Sequence, residues 1–186
     1  MKTIVEIGTS DFRTVAGKSE GLFIEPVKYY YDRLPECTKE NVAVSNREGT
    51  IKIFYLTDEE INKHNLPKWI RGCNSIDEIH PTTKTILNKL GISEDIVRCD
   101  TVNVVRIKTL LDKHNLKRFD ILKIDTEGHD TIILNDFLDT VDFKPQTIKF
   151  EYNELSNIEE SLKLIARLKG LGYTTQILKT DIVATL

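Results

Sequence analysis

Short apolar runs rich in β-branched residues recur along the chain, each closed by a glycine or a cluster of polar residues. Residues 3–7 form such a run and meet Gly8 at once, which predicts a buried strand ending in a tight turn. Residues 21–24 predict a second strand, ending at Glu25-Pro26. Pro26 suits a first helical position and Pro35 stops the run, so residues 27–34 predict a helix. Residues 41–45 predict a third strand, Asn46-Arg47-Glu48-Gly49 a turn, and residues 50–56 an alternating strand. Residues 57–95 are the least regular stretch. They carry Pro67, Trp69, Gly72, Cys73, Asn74 and Pro81, and are expected to form an insertion or lid rather than a tether.

Downstream the pattern sharpens. A strand is expected over residues 102–107 and a helix over 108–116, with Leu110, Leu111 and Leu116 apolar. The strongest strand signal is 119–124, closing on Asp125-Thr126-Glu127-Gly128. A helix follows over 129–138, then a strand over 147–150 that ends at Glu151. Residues 158–171 read as an amphipathic helix stopped by Gly172, and residues 173–178 with 182–186 as a closing hairpin. Strands alternating with helices predict an α/β fold whose largely parallel sheet is covered on both faces.

The chain has 186 residues, 40% of them hydrophobic and 30% charged, which suits one globular domain over residues 1–186. A net charge of −3 argues against a surface built to neutralise phosphates, so nucleic acid is not an expected partner. Cys37, Cys73 and Cys99 contain no C-x-x-C pair, so neither a zinc cage nor a redox dithiol is suggested. No apolar run reaches the roughly 18 residues of a membrane span, and residues 1–6 lack the core of a secretion signal. A cytoplasmic protein is the expectation, with no membrane partner.

In an open parallel sheet, ligands bind beyond the carboxyl ends of the strands. Four of these ends are polar: the one running from Glu6 through Gly8, Thr9 and Ser10 to Asp11, Glu25-Pro26, Asp125 to Gly128, and Glu151 onward. A glycine at the first end lets backbone approach a ligand closely. Glu25 lies 17 residues further on, and a carboxylate there can accept both hydroxyls of a ribose. Its plain alternative is a cap for the following helix. Asp125, Glu127, His129 and Asp130 crowd one turn, an arrangement common at active sites. Asp125 could hold a cofactor amine, a metal or a substrate hydroxyl, and His129 could take a proton near neutral pH. The alternative is that Asp125 and Thr126 cap the next helix and Glu127 sits in its first turn.

The run Asp120-Ile121-Leu122-Lys123-Ile124-Asp125-Thr126-Glu127-Gly128-His129-Asp130 closely resembles the signature of the FkbM family of methyltransferases that use S-adenosylmethionine. Val5-Glu6-Ile7-Gly8, Phe23-Ile24-Glu25-Pro26, and Val42-Ala43-Val44-Ser45 with Gly49 follow the family's pattern in the same order. The resemblance implies a class I methyltransferase fold, a Rossmann-like three-layer sandwich whose mostly parallel seven-stranded sheet has an antiparallel last strand. It implies O-methylation of a hydroxyl on a sugar or other small metabolite, with a small molecule or glycan as acceptor. By matching positions, the strand end holding Glu6, Gly8, Thr9 and Ser10 would bind the cofactor at its methionine end. Glu25 and Pro26 would lie at the ribose, Val42 and Ala43 near the adenine, and Asp125 at the reaction centre. In one respect the chain departs from the family: Phe12 stands where a second glycine is usual.

Methyl transfer needs a hydroxyl about 3 Å from the methyl carbon and a group to take its proton. Asp125 or His129 is the candidate base. Asp125, Glu127 and Glu151 could instead hold a divalent metal such as Mg2+, which lowers the hydroxyl's pKa. Two rivals remain at this point. An NAD(P)-type Rossmann oxidoreductase shares the logic of Gly8 and Glu25, although the chain lacks a full G-x-G-x-x-G. A non-catalytic relic of the methyltransferase fold would account for Phe12. Trp69, Tyr29, Tyr30 and Tyr31 are aromatics able to stack on a sugar, and more often belong to a core or rim.

Overall fold

The structure, a computed structural model, describes residues 2–10, 14–152 and 156–186. The chain opens with β1 (Thr3–Ile7), β2 (Glu20–Ile24) and a one-turn helix α1 (Lys28–Tyr31). Next come β3 (Lys39–Glu40), β4 (Ala43–Val44) and β5 (Gly49–Tyr55), then α2 (Asp58–Lys63), β6 (Ser75–Ile76) and α3 (Pro81–Leu90). The second half runs β7 (Arg98–Val105), α4 (Ile107–Lys113), β8 (Ile121–Ile124), α5 (Asp130–Thr140), β9 (Thr147–Glu151), α6 (Ile158–Gly170), β10 (Thr174–Leu178) and β11 (Asp181–Thr185). None of the described helices is long and apolar enough to cross a membrane.

The larger sheet has seven strands in the order β3-β2-β1-β8-β9-β11-β10. All its pairings are parallel except those of β11, which runs antiparallel to β9 and to β10. The expected mostly parallel sheet with an antiparallel last strand is therefore present. Strand order reverses between β1 and β8, since the chain leaves β1 toward β2 and later returns to pair β8 on β1's other edge. A crevice opens at such a reversal.

One face of this sheet carries the main core. Val5, Ile7, Leu22, Ile24, Leu122 and Ile124 pack there against Leu110 of α4, Phe137 of α5 and Leu164 of α6. The opposite face alternates in polarity. Ile4 and Phe23 pack there beneath Ala16 and Leu34, while Glu6 and Lys123 pair across β1 and β8 at 2.6 Å. The register puts Glu6 directly opposite Lys123, so a buried carboxylate and an ammonium neutralise each other.

The segment between β3 and α4 departs from expectation. Residues 41–45 do not form one strand. The chain makes β3 on the large sheet, then crosses to a second, four-stranded sheet ordered β4-β7-β5-β6. Asn41 sits at the break and donates to the carbonyls of Glu25 and Pro26, at 2.8 and 3.0 Å, which anchors the crossing. The strand expected over 102–107 is longer and earlier, pairing residue by residue with β5 from Gly49↔Val104 to Tyr55↔Arg98.

Residues 57–95 are also more ordered than their composition suggests. Thr57 caps α2 by accepting the Glu60 N–H at 3.3 Å, and Glu60 three positions on makes this a recognisable helix start. Pro81 opens α3 and Gly91, at φ +66°, ends it. Leu56, Ile61, Leu66, Ile70 and Leu87 bury themselves in a small core of their own. Tyr30 ties this unit down by donating its hydroxyl to the Leu56 carbonyl at 2.6 Å.

Candidate active site

Register places the chemistry. Ile7 lies opposite Ile24 on one side and Ile124 on the other. The next residues along the three strands, Gly8, Glu25 and Asp125, therefore stand level at the carboxyl edge. Lys123 pairs with Lys149, so continuing the strands two residues brings Glu151 into the same row. A cavity of about 620 Å³ opens above it, within the roughly 300–1,000 Å³ typical of small-molecule sites. Val42 and, from the second sheet, Ala43, Ile51, Ile53 and Val104 roof the cavity, an apolar wall facing the polar strand ends.

Gly8 is glycine for a reason the sequence does not disclose. At φ +77°, a Cβ there would lie 1.9 Å from the Asp125 carbonyl oxygen. The glycine lets β1 and β8 end side by side, and whether a ligand also approaches it is a separate matter. Thr9, Ser10, Glu25 and Pro26 line the cavity with it. Glu25 is buried, and its carboxylate accepts the N–H of Ser10 at 2.7 Å and of Val27 at 2.9 Å. It ties the turn after β1 to the segment leading into α1 while lining the cavity. The Ser10 hydroxyl is buried without a hydrogen-bond partner among the described residues. Glu6 does not line the cavity. It pairs with Lys123 and accepts the Thr14 hydroxyl at 2.8 Å, which makes it a brace beneath the cavity rather than part of its surface. Asp11, Phe12, Asn153 and Glu154 lie outside the described residues.

Single carboxylate oxygens of Asp125, Glu127 and Glu151 fall within 4.8 Å of one another. Burial raises the Asp125 carboxyl above its ordinary value, Lys123 opposes this, and Glu127 adds to it. Glu127 takes the left-handed conformation at φ +53°, followed by Gly128 at φ +100°, and this tight turn presents its side chain to the cluster. The Cys73 thiol borders the same wall and is pushed up to about 12, first by burial and then by Glu127 and Glu151, so it stays protonated.

His129 and Asp130 divide from this cluster. His129 shares a 2.9 Å hydrogen bond between Nε2 and the buried Ser45 hydroxyl, and burial lowers its affinity for a proton. Asp130 points into the core, accepting the N–H and hydroxyl of Thr126 and the Glu151 N–H at 2.7 Å. It is a strut between the tips of β8 and β9.

Burial pushes Asp130 up to about 6, against the pull of its hydrogen-bond donors. An acid held above its unfolded value, about 3.9, binds protons more strongly in the folded chain. Its contribution to stability therefore falls as pH rises from about 4 to 6 and is level beyond. Relative to Asp130→Asn, the wild-type protein should lose about 2 kcal/mol of stability across that window. Urea midpoints of both proteins at pH 4, 5 and 6 measure the gap.

Of the four aromatics named as stacking candidates, Trp69 alone faces the site. It lines the cavity and is 54% exposed. Tyr30 is fully buried, Tyr29 packs beside it with ring centroids 5.2 Å apart, and Tyr31 packs beside Phe23 and Leu34. Tyr30 is core, Tyr29 and Tyr31 are half-buried at its edge, and none of the three lines the cavity. His80 borders the cavity from the start of α3, and no sequence signal marked it.

A seven-stranded, mostly parallel sheet of this order, with its antiparallel last strand, is a class I methyltransferase-like fold. The Methyltransferase FkbM domain profile matches residues 6–175, and the chain belongs to that family. No curated protein and no solved structure matches the chain.

Proposed function

We propose that the protein transfers a methyl group from S-adenosylmethionine to a hydroxyl oxygen of a sugar or comparable small metabolite. The observation that carries this reading is the level row of Gly8, Glu25 and Asp125 on one cavity. The lining suits the donor in three ways. Its carboxylates, Glu25, Asp125, Glu127, Glu151 and Asp181, outnumber Lys123 and Lys149, which favours a ligand of net positive charge. The apolar wall of Val42, Ala43 and Ile51 suits an adenine. The Ser10 hydroxyl, without a partner among the described residues, suits a polar group at the methionine end.

When bound, the donor supplies an electrophilic methyl carbon. The chain's own groups must place the acceptor oxygen about 3 Å from that carbon and in line with the bond that breaks. Asp125 is the base in this reading: its carboxylate takes the hydroxyl proton as the oxygen–carbon bond forms. A raised pKa improves a carboxylate in that role. His129, with Nε2 committed to Ser45, serves the cavity wall instead. The close approach of Asp125, Glu127 and Glu151 supports a second route: these three carboxylates would hold a hard divalent cation, which would lower the pKa of the acceptor hydroxyl.

Calorimetry with S-adenosylmethionine and NAD side by side tests the donor. Binding of the first alone is expected. At about 100 times its dissociation constant the donor adds about 2.7 kcal/mol of stability. That shifts the melting temperature of a chain this size by roughly 5–11 °C. No shift at millimolar donor would turn the reading toward a relic of the fold. Turnover lost in EDTA and restored by Mg2+ would select the metal route over the direct one.

A further inference from the structure

The 57–95 segment contributes Trp69, Cys73 and His80 to the wall of the cavity. His80 is its most buried polar side chain on that wall, 4% exposed, and it caps the N-terminus of α3. Nδ1 accepts the Thr82 N–H at 3.1 Å. That bond occupies the Nδ1 lone pair, so in the neutral ring the proton sits on Nε2. Nε2 lies 3.3 Å from Oε2 of Glu127, a residue 47 positions away on the β8 turn. The imidazole therefore donates to the carboxylate.

Helix caps are usually Ser, Thr, Asn or Asp, and histidine is not among the preferred residues. A ring with two nitrogens on opposite edges has a use that those short side chains lack: it caps the helix with one and reaches Glu127 with the other. Glu127 needs holding. Its carboxylate oxygen approaches those of Asp125 and Glu151 within 4.8 Å, where like charges repel. A glutamate with three rotatable bonds would otherwise swing toward solvent.

We infer that His80 is a positioning residue, which holds the Glu127 carboxylate in the acidic cluster and so makes the 57–95 segment part of the catalytic apparatus. Its effect on turnover rests on the methyltransferase reading above, while the hydrogen bond to Glu127 does not.

Two substitutions separate capping from positioning. In His80→Asn the amide oxygen can still accept from Thr82 N–H, but the side chain stops short of Glu127. In His80→Gln the amide nitrogen can reach Glu127 and the cap is weakened. His80→Asn should keep its melting temperature within about 2 °C and its donor affinity within about threefold, yet lose about 10–100-fold in kcat. His80→Gln should recover most of that kcat with a lower melting temperature. Wild-type kcat in His80→Asn would overturn the proposal. So would equal losses of kcat and melting temperature in both variants, which would reduce His80 to a cap.

Nitrogen-15 spectra of the histidine rings supply an arm that needs no turnover. The proton is expected on Nε2 of His80, and Glu127→Ala should move that resonance. If the wild-type protein transfers no methyl group while these spectra behave as stated, the functional reading fails and the positioning contact stands. An unmoved His80 resonance in Glu127→Ala would overturn the contact itself.

Discussion

Replacing Asp125 with alanine is expected to lower kcat by about 10²–10⁴-fold while leaving the fold intact, the range typical for loss of a general base. Both halves follow from the same environment. Asp125 stands level with Gly8 and Glu25 at the reversal of strand order, at the centre of the cavity floor. Its backbone N–H already pairs with the Ile7 carbonyl at 3.0 Å, and alanine keeps that bond. Burial raises its carboxyl above the ordinary range, so at neutral pH its ionised form is less favourable in the folded chain than in the unfolded one. Removing it takes away a stability cost rather than a support. The melting temperature of Asp125→Ala at pH 7 should therefore equal or exceed that of the wild-type protein. Donor affinity should change little, because Glu25 and the Ser10 end of the cavity are untouched. A variant that binds donor, melts normally and turns over at the wild-type rate would remove Asp125 from the mechanism.

That separation of chemistry from support could be anticipated only in part. The strand tips were legible because each buried run is short and ends in glycine or a carboxylate, and parallel strands bring such ends to one edge. The pattern therefore delivered Gly8, Glu25, Asp125 and Glu151 together. It could not deliver pairings that arise between remote segments. Ser45 meets His129 across 84 positions and His80 meets Glu127 across 47, and no local periodicity encodes either contact. The second sheet was hidden for a related reason. β4 and β6 are two residues each, too short to show alternation, and they exist because β5 and β7 offer edges. Some of the missed order was visible after all. Thr57 with Glu60, Pro81 and Gly91 are ordinary helix boundaries, overlooked because the aromatic and proline content between them read as irregular. The salt bridge of Glu6 and Lys123 is intermediate: obvious once β1 and β8 are neighbours, silent before.

Gly8→Ala should be strongly destabilising, and it tests what the glycine is for. The added Cβ would sit 1.9 Å from the Asp125 carbonyl oxygen and 2.8 Å from its carbon, both backbone atoms that cannot swing aside. The left-handed φ of +77° adds strain of its own. Relief would require β1 and β8 to part at their tips. There the Gly8 N–H bonds the Ile24 carbonyl at 3.0 Å and the Asp125 N–H bonds the Ile7 carbonyl at 3.0 Å, so the central ladder would open on both sides. A loss of more than about 4 kcal/mol is expected, which falls in the exceptional range for point substitutions. In a chain of this size it lowers the melting temperature by at least about 8–16 °C, without any ligand present. Gly91→Ala is the control. Gly91 has a similar φ of +66°, but its Cβ would meet nothing within 4 Å. It should cost only the left-handed strain, about 1–2 kcal/mol. A glycine present solely to admit a cofactor predicts the opposite outcome: Gly8→Ala would melt like the wild-type protein and fail only in donor binding. Thermal melts of the two variants, recorded with and without S-adenosylmethionine, decide between a glycine that serves the sheet and one that serves the ligand.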